Sequence, residues 1–390
     1  MTPRADQPKK IVFLFSDTGG GHRSASEAII EALDLEYPGL FHTQMVDIFR
    51  DYAPFPYKHT PEMYPQMTRN PRLWEAGYRM SNGKRKADMF TQFLWPYVRQ
   101  AMQRLVRENP CDLFVSVHPF ANRALLNVTQ YHKTPLITVV TDMVSVHAFW
   151  FDPRTDLVIV PTEAARQHGI ENGVSPDKII VAGQPVADRF CHPLGDKAVL
   201  KQQLGWTSGR PVVLLVGGGQ GLGPLRDIAF AIDQARLPLE LVIIAGRNQR
   251  LVETFEEHAW QIPTHVYGFV KDMPDFMTAA DILLTKAGPG TISEAFIVGL
   301  PLILYSRLPG QEDGNVSYVL EHHAGVWAPE THQVIGTLQG WLDNPGQLAQ
   351  AAAASQKLGK PEATRHIARL IADRIIYPIE RQFDILYDHG

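Results

Sequence analysis

The sequence predicts an α/β protein in which two doubly wound domains face each other across a central cleft. Its 390 residues are too many for one ordinary core but fit two α/β domains. Short apolar runs rich in Val and Ile alternate with helix-length segments, a pattern that is typical of a parallel sheet buried on both faces. The alternation stops at a stretch rich in Pro and Gly and then starts again, so we expect two sheets.

The predicted elements fall into two series along the chain. The strands of the first series are residues 11–15, 44–49, 113–117, 136–140, 157–160 and 178–181, with a helix over 25–35 after the first strand. Those of the second series are residues 212–216, 241–245, 265–267, 282–284 and 302–305. The aperiodic segment 185–197 lies between the two series and is predicted to be the interdomain linker.

This division predicts an N-terminal domain over residues 1–190 and a C-terminal domain over residues 191–370. Residues 371–390 are assigned to a C-terminal helix. Apolar residues spaced through 361–390 predict an amphipathic helix, interrupted near Pro378, that packs back towards the N-terminal domain. The carboxyl ends of both sheets would then border one cleft, which is where doubly wound sheets bind their ligands.

Composition and charge exclude several classes of protein. Lys and Arg number 37 against 41 Asp and Glu, so the net charge of −4 lacks the basic excess of a nucleic-acid wrapper. The two cysteines, Cys111 and Cys191, form neither a disulfide framework nor a cysteine-only zinc site. No apolar run has the length of a signal peptide or of a membrane span of about 20 residues. We therefore expect a soluble or peripheral protein on the cytoplasmic side.

A glycine-rich turn, SDTGGGHRSA over residues 16–25, follows the first predicted strand and opens a helix. Its small residues approximate GxGxxG and Asp47 ends the second predicted strand, so a dinucleotide site is one interpretation. Against it, His22 and Arg23 replace bland spacers and would point into the cleft. A histidine at such a turn can act as a base near neutral pH. Capping of the local backbone is the alternative role for His22.

Two further glycine clusters lie in the second half. VVLLVGGGQGLGPLRD contains Gly218 and Gly219 between a strand and a helix, and it lacks the lysine of a hydrolysing P-loop. A phosphate could approach this backbone closely, although a merely flexible turn would look similar. TKAGPGTISEA offers Gly290, Thr291 and adjacent N–H groups to a second phosphate. Glu294, one helical turn later, could accept hydrogen bonds from a ribose or could simply cap the helix.

The loop after the last predicted strand is dense in polar side chains. Gln311, Glu312 and Asn315 supply both donors and acceptors, which suit the hydroxyl groups of a sugar. A solvated loop would have the same composition.

Six segments together resemble the monogalactosyldiacylglycerol synthases and related bacterial diacylglycerol glycosyltransferases: SDTGGGHRSASEAI, VVTDM, VVLLVGGGQGLGP, YGFV, TKAGPGTISEA and LPGQEDGNVSYV. The resemblance covers about residues 11–330 and extends more remotely to the peptidoglycan N-acetylglucosaminyltransferase. It implies the GT-B fold, two Rossmann-like domains with a UDP-sugar on the C-terminal domain and the acceptor on the N-terminal one. It also implies an inverting, metal-independent transfer in which the UDP-sugar is a substrate and no cofactor is needed. The lack of a DxD pair at a strand end agrees with that expectation.

The resemblance also assigns roles to individual positions. The uracil contact falls on the backbone around Phe269 and Val270, the phosphate contacts on Gly218, Gly219, Gly290 and Thr291, the ribose contact on Glu294, and the donor-sugar contacts on Gln311 and Glu312. His22 matches the histidine of the family's GGGHR and is the first candidate for the base, unless it only orients the donor phosphate. Asp142 in VVTDM is the second candidate, as base or as the partner that holds His22.

Residues 50–107 form a basic segment interleaved with aromatic residues. Eleven Lys and Arg face only four Asp and Glu there, and six aromatic residues lie between positions 74 and 97. This mixture suits the boundary of an anionic bilayer, where each basic residue contributes on the order of 1 kcal/mol. Single-stranded nucleic acid and a plain solvated helix pair are the alternatives. The UDP-sugar motifs favour the membrane and argue against a nucleic-acid partner.

The leading hypothesis is therefore an enzyme that moves galactose or glucose from UDP-hexose to the hydroxyl of diacylglycerol at the cytoplasmic face of a membrane. The alternatives are a transferase for another lipid-linked or soluble acceptor, such as one using UDP-N-acetylglucosamine, a non-hydrolysing UDP-sugar epimerase, and a UDP-sugar sensor without turnover. A dinucleotide oxidoreductase is disfavoured, because the second and third glycine clusters would have no role in it.

Overall fold

The computed structural model describes residues 8–68, 70–129, 134–192, 195–207, 209–218 and 223–376. Within these ranges the chain forms two six-stranded sheets, with strand orders β2-β1-β3-β4-β5-β6 and β12-β11-β10-β7-β8-β9. Every strand pairing is parallel. The predicted α/β architecture of two doubly wound sheets is confirmed.

The N-terminal sheet and its helices come in the following order. The strands are β1 Lys9–Phe15, β2 Phe41–Asp47, β3 Leu113–Ser116, β4 Leu136–Val139, β5 Leu157–Val160 and β6 Ile179–Val181. The helices are α1 Gly21–Glu36, α2 Thr60–Met67, α3 Pro71–Ser81, α4 Lys84–Glu108, α5 Asn122–Thr129 and α6 Glu163–Glu171. Helices α2 to α4 form an insertion between β2 and β3, and this insertion builds one wall of the site described below.

The C-terminal half repeats the arrangement. Its strands are β7 Val212–Val216, β8 Glu240–Ile244, β9 Thr264–Tyr267, β10 Ile282–Lys286, β11 Leu302–Ser306 and β12 Gly325–Trp327. Its helices are α7 Lys197–Gln203, α8 Leu225–Ala235, α9 Gln249–Glu256, α10 Met273–Ala279, α11 Pro289–Val298, α12 Asp313–Glu321, α13 Thr331–Asp343, α14 Pro345–Lys357 and α15 Ala363–Ile376. The edge strand β12 is not predicted from the sequence, because three half-buried residues carry no periodic signal.

Burial on both faces explains why the strands have continuous apolar runs. In β7, Val212 and Leu214 pack into one cluster and Val213 and Leu215 into another on the opposite face. In contrast, β2 ends at Asp47 rather than at residue 49. The Asp47 carboxylate accepts hydrogen bonds from the N–H groups of Phe49 and Arg50 and thereby starts a π-helical turn over Ile48–Tyr52.

Helix α15 returns from the C-terminal half to pack against α1 in the N-terminal half. Arg369 forms an ion pair with Glu36 on α1, with 3.1 Å between Nε and Oε2. The Thr364 hydroxyl donates to the Val186 carbonyl and accepts from the Val186 N–H, so the helix also holds the segment predicted as a linker. The predicted interruption at Pro378 lies outside the described residues, as does everything after Ile376.

Candidate active site

The carboxyl ends of the two sheets meet at one cleft, and hydrogen bonds cross it directly. Gln311 Nε2, on the loop after β11, donates to Asp142 Oδ1 at 3.1 Å. The N–H of Gly314 donates to Ser145 Oγ at 2.9 Å. The predicted base candidate Asp142 and the predicted sugar contact Gln311 therefore touch, although 169 positions separate them in the chain.

His22 lies in the first turn of α1, at the end of β1. Gly19 and Gly20 before it both have φ of 82°, a conformation that only glycine adopts without strain. The imidazole Nδ1 lies 3.0 Å from Thr141 Oγ1. Burial lowers the pKa of His22 to about 4, against a smaller opposing effect of the Val117 backbone. The imidazole is therefore neutral at pH 7 and able to accept a proton.

Asp142 is buried immediately after β4 and is held from both sides of the cleft. Trp150 Nε1 donates to Oδ2 at 2.7 Å, while Gln311 occupies Oδ1. Burial raises the pKa of this carboxyl to about 6, against the lowering effect of those two hydrogen bonds. Thr141 holds His22, and no hydrogen bond joins His22 to Asp142 in the described residues. The expectation that Asp142 holds His22 therefore does not match the structure. Thr141 contacts His22, and the Asp142 carboxylate binds Trp150 and Gln311 instead.

A second histidine, His118, stands beside His22 and is not singled out by the sequence analysis. The two ring centroids are 4.6 Å apart in an edge-to-face arrangement. His118 Nδ1 accepts from the N–H of Phe120, and Nε2 lies 3.3 Å from Thr18 Oγ1. Burial and the neighbouring His22 hold the pKa of His118 well below its usual value. The sequence feature that could have identified His118 is its position just past the end of β3, at the same sheet edge as His22.

The predicted phosphate contacts lie at the start of α11. Gly288 is the N-cap and provides no side-chain cap, so N–H groups of the first turn, including those of Gly290 and Thr291, have no partner within the helix. Space is open where a Cβ on Gly290 would lie. Gly218 has φ of 69°, and Gly219 lies outside the described residues. This end of the helix can receive an anionic group.

Lys286 is a cation between these two glycine turns that the sequence analysis does not single out. Its Nζ lies 3.0 Å from Glu312 Oε1, and its Cε lies 3.5 Å from where a Cβ on Gly218 would be. The other carboxylate oxygen of Glu312 accepts the N–H of Leu308 at 2.7 Å. Glu312 is buried and holds Lys286 and its own loop, so its predicted contact with a donor sugar stays a prediction.

The remaining predicted donor contacts belong to the C-terminal half, with Glu294 on α11 and Phe269 and Val270 after β9. Burial raises the pKa of Glu294 to about 7, although Arg189 opposes the shift, and none of the described residues hydrogen-bonds its carboxylate. The Phe269 side chain, next to Val270, is 52% exposed, and the Arg247 guanidinium lies 4.3 Å from its ring centroid. Arg247 also falls outside the sequence prediction, since a single arginine after a strand carries no specific signal.

A cavity of about 720 Å³ opens on the N-terminal side of the cleft and reaches His22, Asp142 and Gln311. Its walls come largely from α2, α3 and α4 and are mostly apolar, including Phe49, Met63, Met67, Leu73, Leu94, Val98, Met102 and Phe149. The volume lies in the range of small-molecule sites, about 300–1,000 Å³. The segment predicted as a membrane boundary thus also encloses an apolar cavity.

The aromatic residues of that segment divide among the cavity, the core and the surface. Trp74, Tyr78 and Phe90 line the cavity, whereas Phe93 is 82% exposed. The Tyr78 hydroxyl donates to the Ser145 carbonyl at 3.1 Å, and its ring packs against Gly310 of the loop that carries Gln311. The wall of the cavity and the predicted sugar-binding loop are therefore in contact.

Comparisons with known proteins agree with this architecture. The monogalactosyldiacylglycerol (MGDG) synthase family model matches residues 22–186, and the glycosyltransferase family 28 C-terminal domain model matches residues 212–367. The chain is 34% identical over 374 residues to a probable monogalactosyldiacylglycerol synthase 2, chloroplastic, of Oryza sativa subsp. indica, covering 93% of this chain and 80% of the relative. It is 32% identical to monogalactosyldiacylglycerol synthase 3, chloroplastic, of Arabidopsis thaliana, covering 94% and 81%.

Solved structures show the same fold. Acinetobacter baumannii MurG superposes with a TM-score of 0.63 at 15% identity, covering 94% of this chain and 100% of MurG. Anabaena Alr3699/HepE in complex with UDP-glucose superposes with a TM-score of 0.54 at 16% identity, with coverage of 94% and 100%. At such identities the likeness concerns the fold, which is the GT-B arrangement predicted from the sequence.

Proposed function

The chain belongs to the monogalactosyldiacylglycerol synthase family and is a glycosyltransferase, and from that premise we propose that it transfers a hexose from UDP-hexose to the hydroxyl of 1,2-diacylglycerol, with inversion and without a metal ion or cofactor. The names of its relatives favour galactose over glucose as the hexose. In the described ranges no three His, Cys, Asp or Glu side chains are grouped to hold a metal ion.

The observation that carries this proposal is the apolar cavity that ends at His22 and Asp142. Burial of each methylene of an acyl chain in such a cavity contributes about 0.8 kcal/mol. A soluble sugar acceptor would instead need hydrogen-bonding groups along the walls, which are mostly apolar. The cavity therefore favours a lipid acceptor whose polar end, with its hydroxyl, reaches the cleft.

The geometry supports a single displacement at the anomeric carbon. One proton acceptor, His22 or Asp142, takes the proton of the acceptor hydroxyl while its oxygen forms a bond to the anomeric carbon. The bond from that carbon to the phosphate oxygen breaks, and its electron pair leaves with UDP. The N–H groups of Gly290 and Thr291 and the Lys286 ammonium would stabilise the departing diphosphate. One displacement inverts the configuration.

Docking on an anionic membrane, at its cytoplasmic face, completes the proposal. The insertion also carries large apolar side chains that are exposed by 48% to 82% and do not line the cavity: Met80, Met89, Phe93 and Tyr97. Among the described residues no helix is long and apolar enough to cross a bilayer. Phe93→Ser should weaken binding to anionic vesicles in a flotation assay about tenfold or more, because a Phe side chain contributes about 1.5–3 kcal/mol when fully buried. Unchanged flotation would contradict docking through this surface.

UDP release tests the proposed function most simply. UDP-galactose and UDP-glucose are each incubated with and without diacylglycerol in anionic vesicles, and the lipid product is identified by mass spectrometry. We expect acceptor-dependent UDP release and a monohexosyl diacylglycerol. Interconversion of the free UDP-sugar without acceptor would indicate an epimerase, and donor binding without release under any acceptor would indicate a sensor.

A further inference from the structure

Two hydrogen-bond donors at the cavity have no partner among the described residues, and the proposed displacement uses neither of them. The Tyr64 hydroxyl makes no hydrogen bond with a described residue, and Trp74 Nε1 is buried without one. The two rings meet edge to face with centroids 5.7 Å apart. Resting on the proposed function, we propose that Tyr64 and Trp74 form a subsite for an ester carbonyl of the acceptor and make the enzyme selective for ester-linked over ether-linked glycerolipids.

Tyr64 lies at the catalytic end of the cavity. Its ring on α2 packs against the first glycine turn, with Cε1 3.2 Å from where a Cβ on Gly19 would be. Burial, together with the negative charges of Glu312 and Asp142, raises the pKa of this phenol far above its usual value. The hydroxyl therefore keeps its proton at every physiological pH and is available as a donor beside the proton acceptor.

Trp74 adds a donor that cannot act as an acceptor. A buried indole N–H without a partner costs free energy, so an acceptor atom supplied by a ligand would be favoured there. The apolar side chains around it supply none. Diacylglycerol carries two ester carbonyl groups next to its free hydroxyl, and it therefore brings acceptors to the place where this cavity has unmatched donors. An ether-linked analogue has the same hydroxyl and chains but lacks these carbonyl oxygens.

The test compares diacylglycerol with dialkylglycerol of the same chain length, both presented in mixed micelles at equal mole fraction with saturating UDP-galactose. For the unmodified enzyme we expect kcat/KM to be about tenfold higher with the diacyl acceptor, the effect of one or two hydrogen bonds. Tyr64→Phe and Trp74→Phe should each lower the ratio of kcat/KM for the diacyl acceptor to kcat/KM for the dialkyl acceptor about threefold or more. A merely structural defect would lower both values together.

Tyr52→Phe and Trp95→Phe are matched controls. The Tyr52 hydroxyl contacts Glu108 and Asn109 outside the cavity, and Trp95 packs against a core cluster, so both variants should keep the selectivity ratio. Equal use of both acceptors by the unmodified enzyme, or an unchanged ratio in Tyr64→Phe and Trp74→Phe, overturns the ester subsite while leaving the transferase activity established. Failure to glycosylate either acceptor would instead overturn the proposed function.

Discussion

The two sides of the cleft present different kinds of chemical group. On the C-terminal side, the groups that we propose to bind the donor are mainly backbone N–H groups at glycine turns and at the start of α11. On the N-terminal side, they are side chains: His22, His118 and Asp142 at strand ends, and the apolar wall of α2 to α4. A site made of backbone N–H groups requires glycine at fixed positions, so it can be recognised in the sequence as a motif. A cavity lined by apolar side chains tolerates many arrangements and is visible in the sequence only as an apolar composition.

The largest change in turnover is expected when a candidate base on the N-terminal side of the cleft is replaced, and this change should leave UDP binding on the C-terminal side intact. His22→Ala or Asp142→Asn should lower kcat by about 10² or more, the usual cost of losing general-base catalysis, while the Kd of UDP stays nearly unchanged. Unchanged turnover in both variants would show that neither group takes the proton. UDP affinity measured by calorimetry is the control for folding.

The pH profile of kcat/KM for the acceptor, at saturating UDP-hexose, distinguishes the two bases. Because burial raises the pKa of Asp142 to about 6, its carboxylate forms as the pH rises, and kcat/KM should increase through pH 6 if Asp142 is the base. The pKa of His22 is lowered to about 4, so His22 as the base would give a profile already flat at pH 6.

The next prediction concerns Lys286, the side chain that we propose to place a positive charge beside the departing diphosphate. Lys286→Ala should lower kcat by about 10², within the range for removal of one stabilising donor, and Lys286→Arg should recover part of it. Lys201→Ala is the matched control, since Lys201 forms its ion pair with Asp281 instead, 2.7 Å away. Equal losses in Lys286→Ala and Lys201→Ala would contradict the role assigned to Lys286.

A smaller effect is expected when the cavity is filled. Gly77 on α3 lines the cavity, and a Cβ there would meet no atom within 4 Å. Gly77→Leu should raise the acceptor KM about tenfold while UDP binding is kept, because the leucine side chain would occupy space needed by the acyl chain and each displaced methylene loses about 0.8 kcal/mol. Gly336→Leu on α13 has equally open space and serves as the control. An unchanged acceptor KM would place the lipid elsewhere.

The smallest effect concerns the donor side and its titration. Burial raises the pKa of Glu294 to about 7, so the carboxyl is protonated below that pH and ionised above it. If the ionised form accepts the ribose hydroxyls, UDP affinity should increase up to about tenfold between pH 6 and 8. Glu294→Gln removes this titration and leaves only that of UDP itself. The same pH dependence in both proteins would remove the ribose role.

The sequence predicts more of the donor side than of the acceptor side for a physical reason. Gly218 and Gly290 follow the neighbouring strands β7 and β10, whose parallel pairing brings the turns after them together, and Glu294 lies one helical turn beyond Gly290. Lys286 lies within one of these motifs, but the residue that holds its ammonium group in place is Glu312, 26 positions further along the chain. Such a contact depends on the fold and has no local pattern.

The insertion between β2 and β3 shows most clearly what could not be predicted from the sequence. Its aromatic and basic composition predicts a surface, and Phe93 is indeed exposed. Trp74 and Phe90 belong to the same segment, but their side chains line the cavity. Helical periodicity indicates that a helix has two faces, yet it does not tell which face meets solvent when both carry apolar side chains. For the same reason the sequence does not single out Tyr64.

A structure of the protein bound to UDP and a short-chain diacylglycerol tests the central claim most directly. We expect the UDP diphosphate at the start of α11, against Gly290 and Thr291, with an acyl chain inside the cavity of α2 to α4 and the free hydroxyl at His22 and Asp142. UDP bound against the first glycine turn, or a lipid bound outside that cavity, would contradict it.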